Sequence, residues 1–215
     1  MQRSEPRQGL LEQRLARTAD PALADRRRRQ IMDAAIACFR RRGFHQATMQ
    51  EICAEAGISA GALYRYFASK AEIIGAIAED HRDEGDVAFL RAAEKQGFVE
   101  AMCLSAQNFV QKFADGDGPL IADIMGEVLR DDAIAKVLRL SDVRSVTILA
   151  AAVRAAQERG EIDATLEPET AANTLFAIVE GIGLRRAFQG ETDTEAAIAQ
   201  FRAVAERYLS PRVRS

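Results

Sequence analysis

The chain has 215 residues, 48% of them hydrophobic and 28% charged, with a formal net charge of −3. That balance supports a buried core and excludes a disordered polyelectrolyte. No apolar run approaches the roughly 18 residues a membrane helix needs, and no leader-like segment opens the chain, so a cytoplasmic protein is expected.

Alanine is abundant, tryptophan is absent, prolines number five, and strand-type runs of Val, Ile and Thr are lacking. An all-α fold follows from that composition. Residues 1–24 mix Arg, Gln, Glu, Pro and Ala without a long apolar stripe and read as a flexible arm. From Asp25 a helical period begins, with Ile31, Ala35, Cys38 and Phe39 on one face, and Gly43 stops it. Thr48 is placed to cap a second helix carrying Met49, Ile52, Cys53 and Ala56. Gly57 interrupts, and Ser59 is placed to cap a short third helix with Leu63 and Phe67. Ser69 and Glu72 have capping-box spacing and open a long helix through Ile73, Ile74 and Ile77 to about Lys95.

Five further helical patterns span 98–114, 119–130, 132–159, 168–188 and 192–209, broken at Gly116–Pro119, Gly160, Pro168 and Gly190. The 132–159 stretch is long enough to be two helices meeting near Ser141. The division expected is a 1–24 arm, a 25–70 head with its motif at about 48–67, and a 71–215 helical body.

Charge is divided unevenly between these parts. Residues 1–70 hold 13 basic and 7 acidic side chains, a net of +6, while residues 71–215 carry a net of −9. A basic head on an acidic body is consistent with one end facing a polyanion. Catalysis finds little support, since there is no nucleophile–base pair, phosphate-binding glycine loop or pair of catalytic carboxylates. Cys38, Cys53 and Cys103 form no CxxC pair and have no histidine at ligand spacing, so they read as buried small hydrophobes in a reducing compartment. No metal site and no cofactor are expected.

Two short amphipathic helices joined by a glycine turn at 48–66 form a helix-turn-helix pattern. Gly57 supplies the turn conformation that other residues adopt only with strain. The surrounding run is Gly43-Phe44-His45-Gln46-Ala47-Thr48, then Ile52-Cys53-Ala54-Glu55-Ala56-Gly57-Ile58-Ser59. It continues through Gly61-Ala62-Leu63-Tyr64-Arg65-Tyr66-Phe67 to Ser69-Lys70. From about 26 to 80 it closely resembles the N-terminal domain of the tetracycline-repressor (TetR) family. The 119–188 region is similar, less specifically, to the regulatory domains of betaine-regulator-type members.

The resemblance implies a three-helix DNA-binding head, a long fourth helix, and a divergent helical body that binds effectors and dimerises. It places the recognition helix at about Ser59–Tyr66. The DNA-binding set implied is Thr48, Ser59, Ala60, Gly61, Tyr64, Arg65, Tyr66 and Lys70. Thr48, the tyrosines and Lys70 would hold phosphates, and Arg65 would either read guanine or hold phosphate. Tyr64 also fits a place in the core. His45 and Arg26–Arg29 border the same surface. Position 60 is Ala where the family often has a basic or polar residue, and position 53 is Cys where a small Ala is usual.

In the body, Met102, Phe109, Phe113, Met125, Leu129 and Phe176, with Phe98 beside them, form the candidate effector pocket. Gln107, Asn108 and Asn173 are its polar candidates, although the same spacing suits plain core packing. Leu175, Val179 and Ile182, and Phe201, Val204 and Tyr208, make stripes that the resemblance assigns to a four-helix dimer interface. The partners expected are therefore a palindromic operator in double-stranded DNA, a second copy of the chain and an unidentified small molecule, with no membrane.

Overall fold

A computed structural model describes residues 21–191 and 193–211; most of the expected arm, residues 1–20, lies outside them. Among the described residues the chain forms nine α-helices and no strand. Helix α1 (Pro21–Arg42) starts four residues before the expected Asp25. Proline suits a first helical turn, and Ala22, Leu23 and Ala24 are strong helix formers, so the propensity of this stretch outweighs its missing apolar stripe.

Helices α2 (Met49–Ala56) and α3 (Ala60–Tyr64) follow, each opened by a side-chain cap. At α2 the box is complete: Thr48 Oγ1 accepts from Glu51 N–H, and the Glu51 carboxylate accepts from Thr48 N–H at 2.9 Å. The turn between α2 and α3 has Gly57 at φ 63°, with Gly57 N–H bonded to Ala54 O and Ile58 N–H to Cys53 O. This left-handed closure satisfies carbonyls that would otherwise end α2 unpaired.

Helix α4 (Lys70–Gln96) is capped by Ser69, whose hydroxyl accepts from Glu72 N–H. The return half of the expected box is displaced by one residue, because Glu72 accepts from Ala68 N–H at 2.7 Å. Next come α5 (Phe98–Lys112), a wide π-turn at Phe113–Asp117 with Gly116 at φ 95°, and α6 (Gly118–Val128). Helix α7 (Asp132–Glu158) is one continuous helix through Ser141, so the two-helix alternative does not hold. Helices α8 (Pro168–Gln189) and α9 (Thr194–Leu209) complete the chain.

Two cores result. The head core gathers Ile31, Phe39, Phe44, Ile52, Leu63 and Phe67 with Ile73 and Ile77 of α4. Burying each of these side chains is worth about 1.5–3 kcal/mol. The same core takes in Ile134 of α7, and Leu120, Ile124 and Val128 of α6 pack against it. The head is thus seated on α6 and the start of α7, and no gap separates it from the body at residue 70. Where α4 crosses α7, a Cβ on Gly75 would lie 2.0 Å from Val137 Cγ1, so only glycine allows that approach. The second core holds Phe89, Phe98, Met102, Leu149, Leu175 and Phe201. Cys38, Cys53 and Cys103 are buried and unpaired.

Candidate nucleic-acid interface and effector cavity

Helix α3 is too short to stand alone, since a helix of five residues does not repay its own nucleation. Three anchors fix it. Ser59 Oγ accepts from Ala62 N–H at 3.2 Å, Gly57 sets the entry angle, and Leu63 is wholly buried in the head core. Leu63 turns inward, so Ser59, Ala60, Gly61, Tyr64 and Arg65 share the outer, solvent-facing side. Tyr64 stands 55% exposed, so it is not a core residue. Tyr66 is half-buried beside the head core, with the Arg65 guanidinium 5.4 Å from its ring centre. The outer face of α3 is therefore small at its start and carries an aromatic ring and a guanidinium at its end.

The other sequence-predicted contacts are more committed within the chain than the sequence suggests. Thr48 Oγ1 already accepts from Glu51 N–H and donates to the Glu51 carboxylate at 3.0 Å. The Thr48 backbone N–H, and then its hydroxyl, hold the Glu51 carboxyl below the usual carboxylate range by donating to it. Lys70 Nζ donates to Phe44 O at 2.7 Å and His45 O at 2.9 Å and lies 5.0 Å from the centre of the Phe44 ring. Burial pulls its ammonium below the usual lysine range, partly offset by Glu127. Lys70 thus ties the start of α4 to the 43–45 turn, leaving one of its three donor directions for a phosphate. Arg42 pairs with the same Glu51 carboxylate at 2.8 Å, and Arg41 pairs with Glu55 at 2.9 Å.

A polar latch that sequence reasoning missed joins this head to the body. Arg40 makes a two-pronged contact with Asp117, at 2.6 and 2.8 Å. Phe44 N–H donates to Asp123 Oδ2 at 3.2 Å, and His45 Nδ1 lies 3.7 Å from Glu127. Gly43, at φ 79°, has room for nothing larger, because a Cβ there would stand 2.9 Å from Asp123 Oδ2. The one available signal was Asp123 and Glu127 at i, i+4 on an otherwise apolar helix.

The body holds a partly open cavity of about 350 Å³ between α4, α5, α7 and α8, with Asn108, Asp142 and Glu180 exposed along its wall. Met102, Phe109 and Phe176 line it as expected, together with Asn108. Phe98 is buried in the body core and does not line it. The rest of the expected pocket needs correction. Leu129 is 87% exposed at the end of α6, where the chain turns away from the core. Met125 lies on α6, outside the cavity wall, and Phe113 fills the space beside Gly183 instead. Gln107 is exposed, and Asn173 is spent on Glu169 O at 2.8 Å. The polar wall comes from Arg82, Asp86, Asp142, Ser145, Lys112 and Glu180, which no local motif connects. Burial pushes the Asp86 carboxyl above the usual range against the pull of Arg144 and Arg82. Glu180 is pushed up by burial and by the like charge of Asp142.

The expected dimer stripe is also corrected. Leu175, Val179, Ile182 and Phe201 are all under 10% exposed and pack in the chain's own core. Tyr208 is half-buried against that core, leaving Val204, at 41% exposed, as the outward member of the six. The face that α8 and α9 turn to solvent carries small residues, including Ala177, Gly181, Ala196 and Ala203, with Phe188 at 87% exposed.

Two family descriptions match this arrangement. Residues 31–77 match the bacterial regulatory proteins of the tetR family, and residues 119–210 match the BetI-type transcriptional repressor C-terminal region. The HTH-type transcriptional regulator UidR of Escherichia coli K12 is 30% identical over 155 residues, covering 72% of this chain and 79% of UidR. The chain belongs to the TetR family. TtgR of Pseudomonas putida, another HTH-type regulator, is 33% identical over 171 residues, spanning 74% of this chain and 79% of TtgR. Among solved structures, Salmonella enterica GusR superposes with a TM-score of 0.72 at 27% identity, covering 89% of this chain and 97% of GusR. As a TetR-family member the chain is a DNA-binding transcriptional regulator with an N-terminal helix-turn-helix. No helix among the described residues is long and apolar enough to cross a membrane.

Proposed function

We propose that this regulator is a ligand-responsive repressor that binds a palindromic operator as a two-fold dimer and leaves it when a small molecule enters the body cavity. The observation that carries this reading is one continuous structure from cavity to head. Phe109 and Lys112 of α5 line the cavity, the Phe113–Asp117 turn follows directly, and Asp117 grips Arg40 of the head. A ligand that reshapes the cavity moves the element holding α1 and the 43–45 turn. In a dimer, a small change there alters the spacing of the two α3 helices, and the two major grooves no longer match both.

In this reading Arg65 reads guanine by paired hydrogen bonds, worth about 1–3 kcal/mol of discrimination. Ser59, Ala60 and Gly61 let the helix backbone approach the bases, and Tyr64, Tyr66, Thr48 and Lys70 set its register on the phosphates. The outward α8–α9 face closes the dimer; its small residues let helices approach closely.

A screen of amphipathic small molecules, read by loss of fluorescence anisotropy on a labelled operator, tests the reading. At least one compound is expected to release DNA, and Phe109→Ala is expected to blunt that response while operator binding without ligand is kept. Operator binding unchanged throughout, or released only by a metal ion or a redox change, would contradict it.

A further inference from the structure

The cavity walls restrict the chemistry of whatever occupies them. Phe89, Met102, Phe109, Leu149, Phe176 and Val179 supply its large apolar side chains. A ligand body there has to be apolar, with aromatic faces on several sides. The polar side is not balanced. Asp86, Asp142 and Glu180 bring three carboxylates, against the two cations Arg82 and Lys112.

The neighbouring arginines already have partners. Arg82 Nη1 donates to Ser145 Oγ at 2.9 Å, and Arg144 pairs with Asp83. Asp86 Oδ2 is buried and has no hydrogen-bond partner among the described residues. An ionised carboxylate only accepts hydrogen bonds, so an unpaired, desolvated oxygen calls for a donor, and a charged donor satisfies it best. Asp142 and Glu180 repel one another at the same cavity, and positive charge placed among them relieves both effects.

We propose, resting on the ligand-responsive reading above, that the effector is an amphipathic organic cation whose ammonium pairs with the Asp86 carboxyl group while its apolar body lies against Phe109 and Phe176. A carboxylate ligand would add a fourth like charge and leave Asp86 Oδ2 unpaired. A purely apolar ligand would bring no donor to the Asp86 carboxyl and no charge to set against the acids. The aromatic rings add favour for a cation, since their faces carry partial negative charge.

The test uses three probes of one shape: 4-phenylbutylamine, 4-phenylbutanol and 4-phenylbutyrate, titrated calorimetrically into the full chain at neutral pH. The amine is expected to bind about 10-fold tighter than either of the others. In Asp86→Asn, checked for native helicity, the amine's advantage is expected to shrink to about threefold or less, while Phe109→Ala weakens all three probes alike. Equal or tighter binding of the alcohol or the acid would overturn the cation proposal, and so would binding of none of the three. So would an undiminished amine preference in Asp86→Asn. If the acid or the alcohol releases operator DNA and the amine does not, the ligand class falls while the ligand-responsive reading stands. If no compound of the broad screen releases DNA, that reading falls with it.

Discussion

Replacing Ala177 with arginine is expected to leave the chain as folded monomers in place of the proposed dimer and to lower operator affinity by about 100-fold or more. Ala177 lies on the outward side of α8 one turn before Gly181, and both are exposed in the single chain. In one chain an arginine at this exposed position can extend into solvent, so the monomer should keep its stability to within about 0.5 kcal/mol. Across a two-fold axis the same side chain meets its own copy, and Arg185 and Arg186 border the same groove. Like charges forced together without partners cost several kcal/mol, of the order that removing one member of a buried pair costs, about 3–5 kcal/mol. The loss in DNA binding follows from geometry. A monomer reaches one half-site and forfeits the gain from tethering a second head at fixed distance. Light scattering should return the 23.6 kDa chain mass for the variant and twice that for the parent. A variant that stays dimeric, or a monomer that binds operator as well as the parent, would remove this face from the account.

Leu63→Ala is expected to cost about 2–5 kcal/mol and to abolish operator binding while leaving the body folded. Leu63 is fully buried, and no other side chain of α3 is. Its removal opens a cavity under a helix that has only its Ser59 cap and the Gly57 turn to hold it. Residues 48–67 should then lose amide protection first, because local opening requires only that segment to detach. The body core shares no contact with Leu63, so Phe98, Leu175 and Phe201 keep their packing. Hydrogen exchange across the chain, paired with operator titration, checks both halves. Intact protection at 48–67 would show that Leu63 is not what holds the recognition helix.

The head was largely legible in the sequence because its signals are local. Thr48, Gly57, Ser59 and Ser69 each act within four residues of their own position, and each acts in the structure as a cap or turn. Leu63 and the outward set at 59–65 follow from helical period alone. The body was legible as a row of helices and little more. Leu175, Val179 and Ile182 do form one apolar stripe, but a period reveals that a face is covered, not what covers it. Here α7, α9 and α5 of the same chain pack against α8. Leu129 carried the same ambiguity and resolved the other way, into solvent. Lys70 could be placed near a phosphate by resemblance, but its bonds to Phe44 and His45 cross 25 or more residues of chain. The acids and bases around the cavity come from four helices, and Arg40–Asp117 spans 77 positions. Such pairings are products of packing and leave no mark on local spacing.

The central claim is that two copies of α3 read two related half-sites through their outer faces. In vitro selection from a random duplex library with the full chain tests this most directly, with bound DNA sequenced after several rounds at moderate salt. The expected product is an inverted repeat whose half-site centres lie about one helical turn apart, roughly 10 base pairs, or a multiple of that. Arg65→Ala is expected to relax the preference for guanine at one position of each half-site without erasing the repeat. Enrichment of no sequence, or of a single unrepeated site, would contradict this claim.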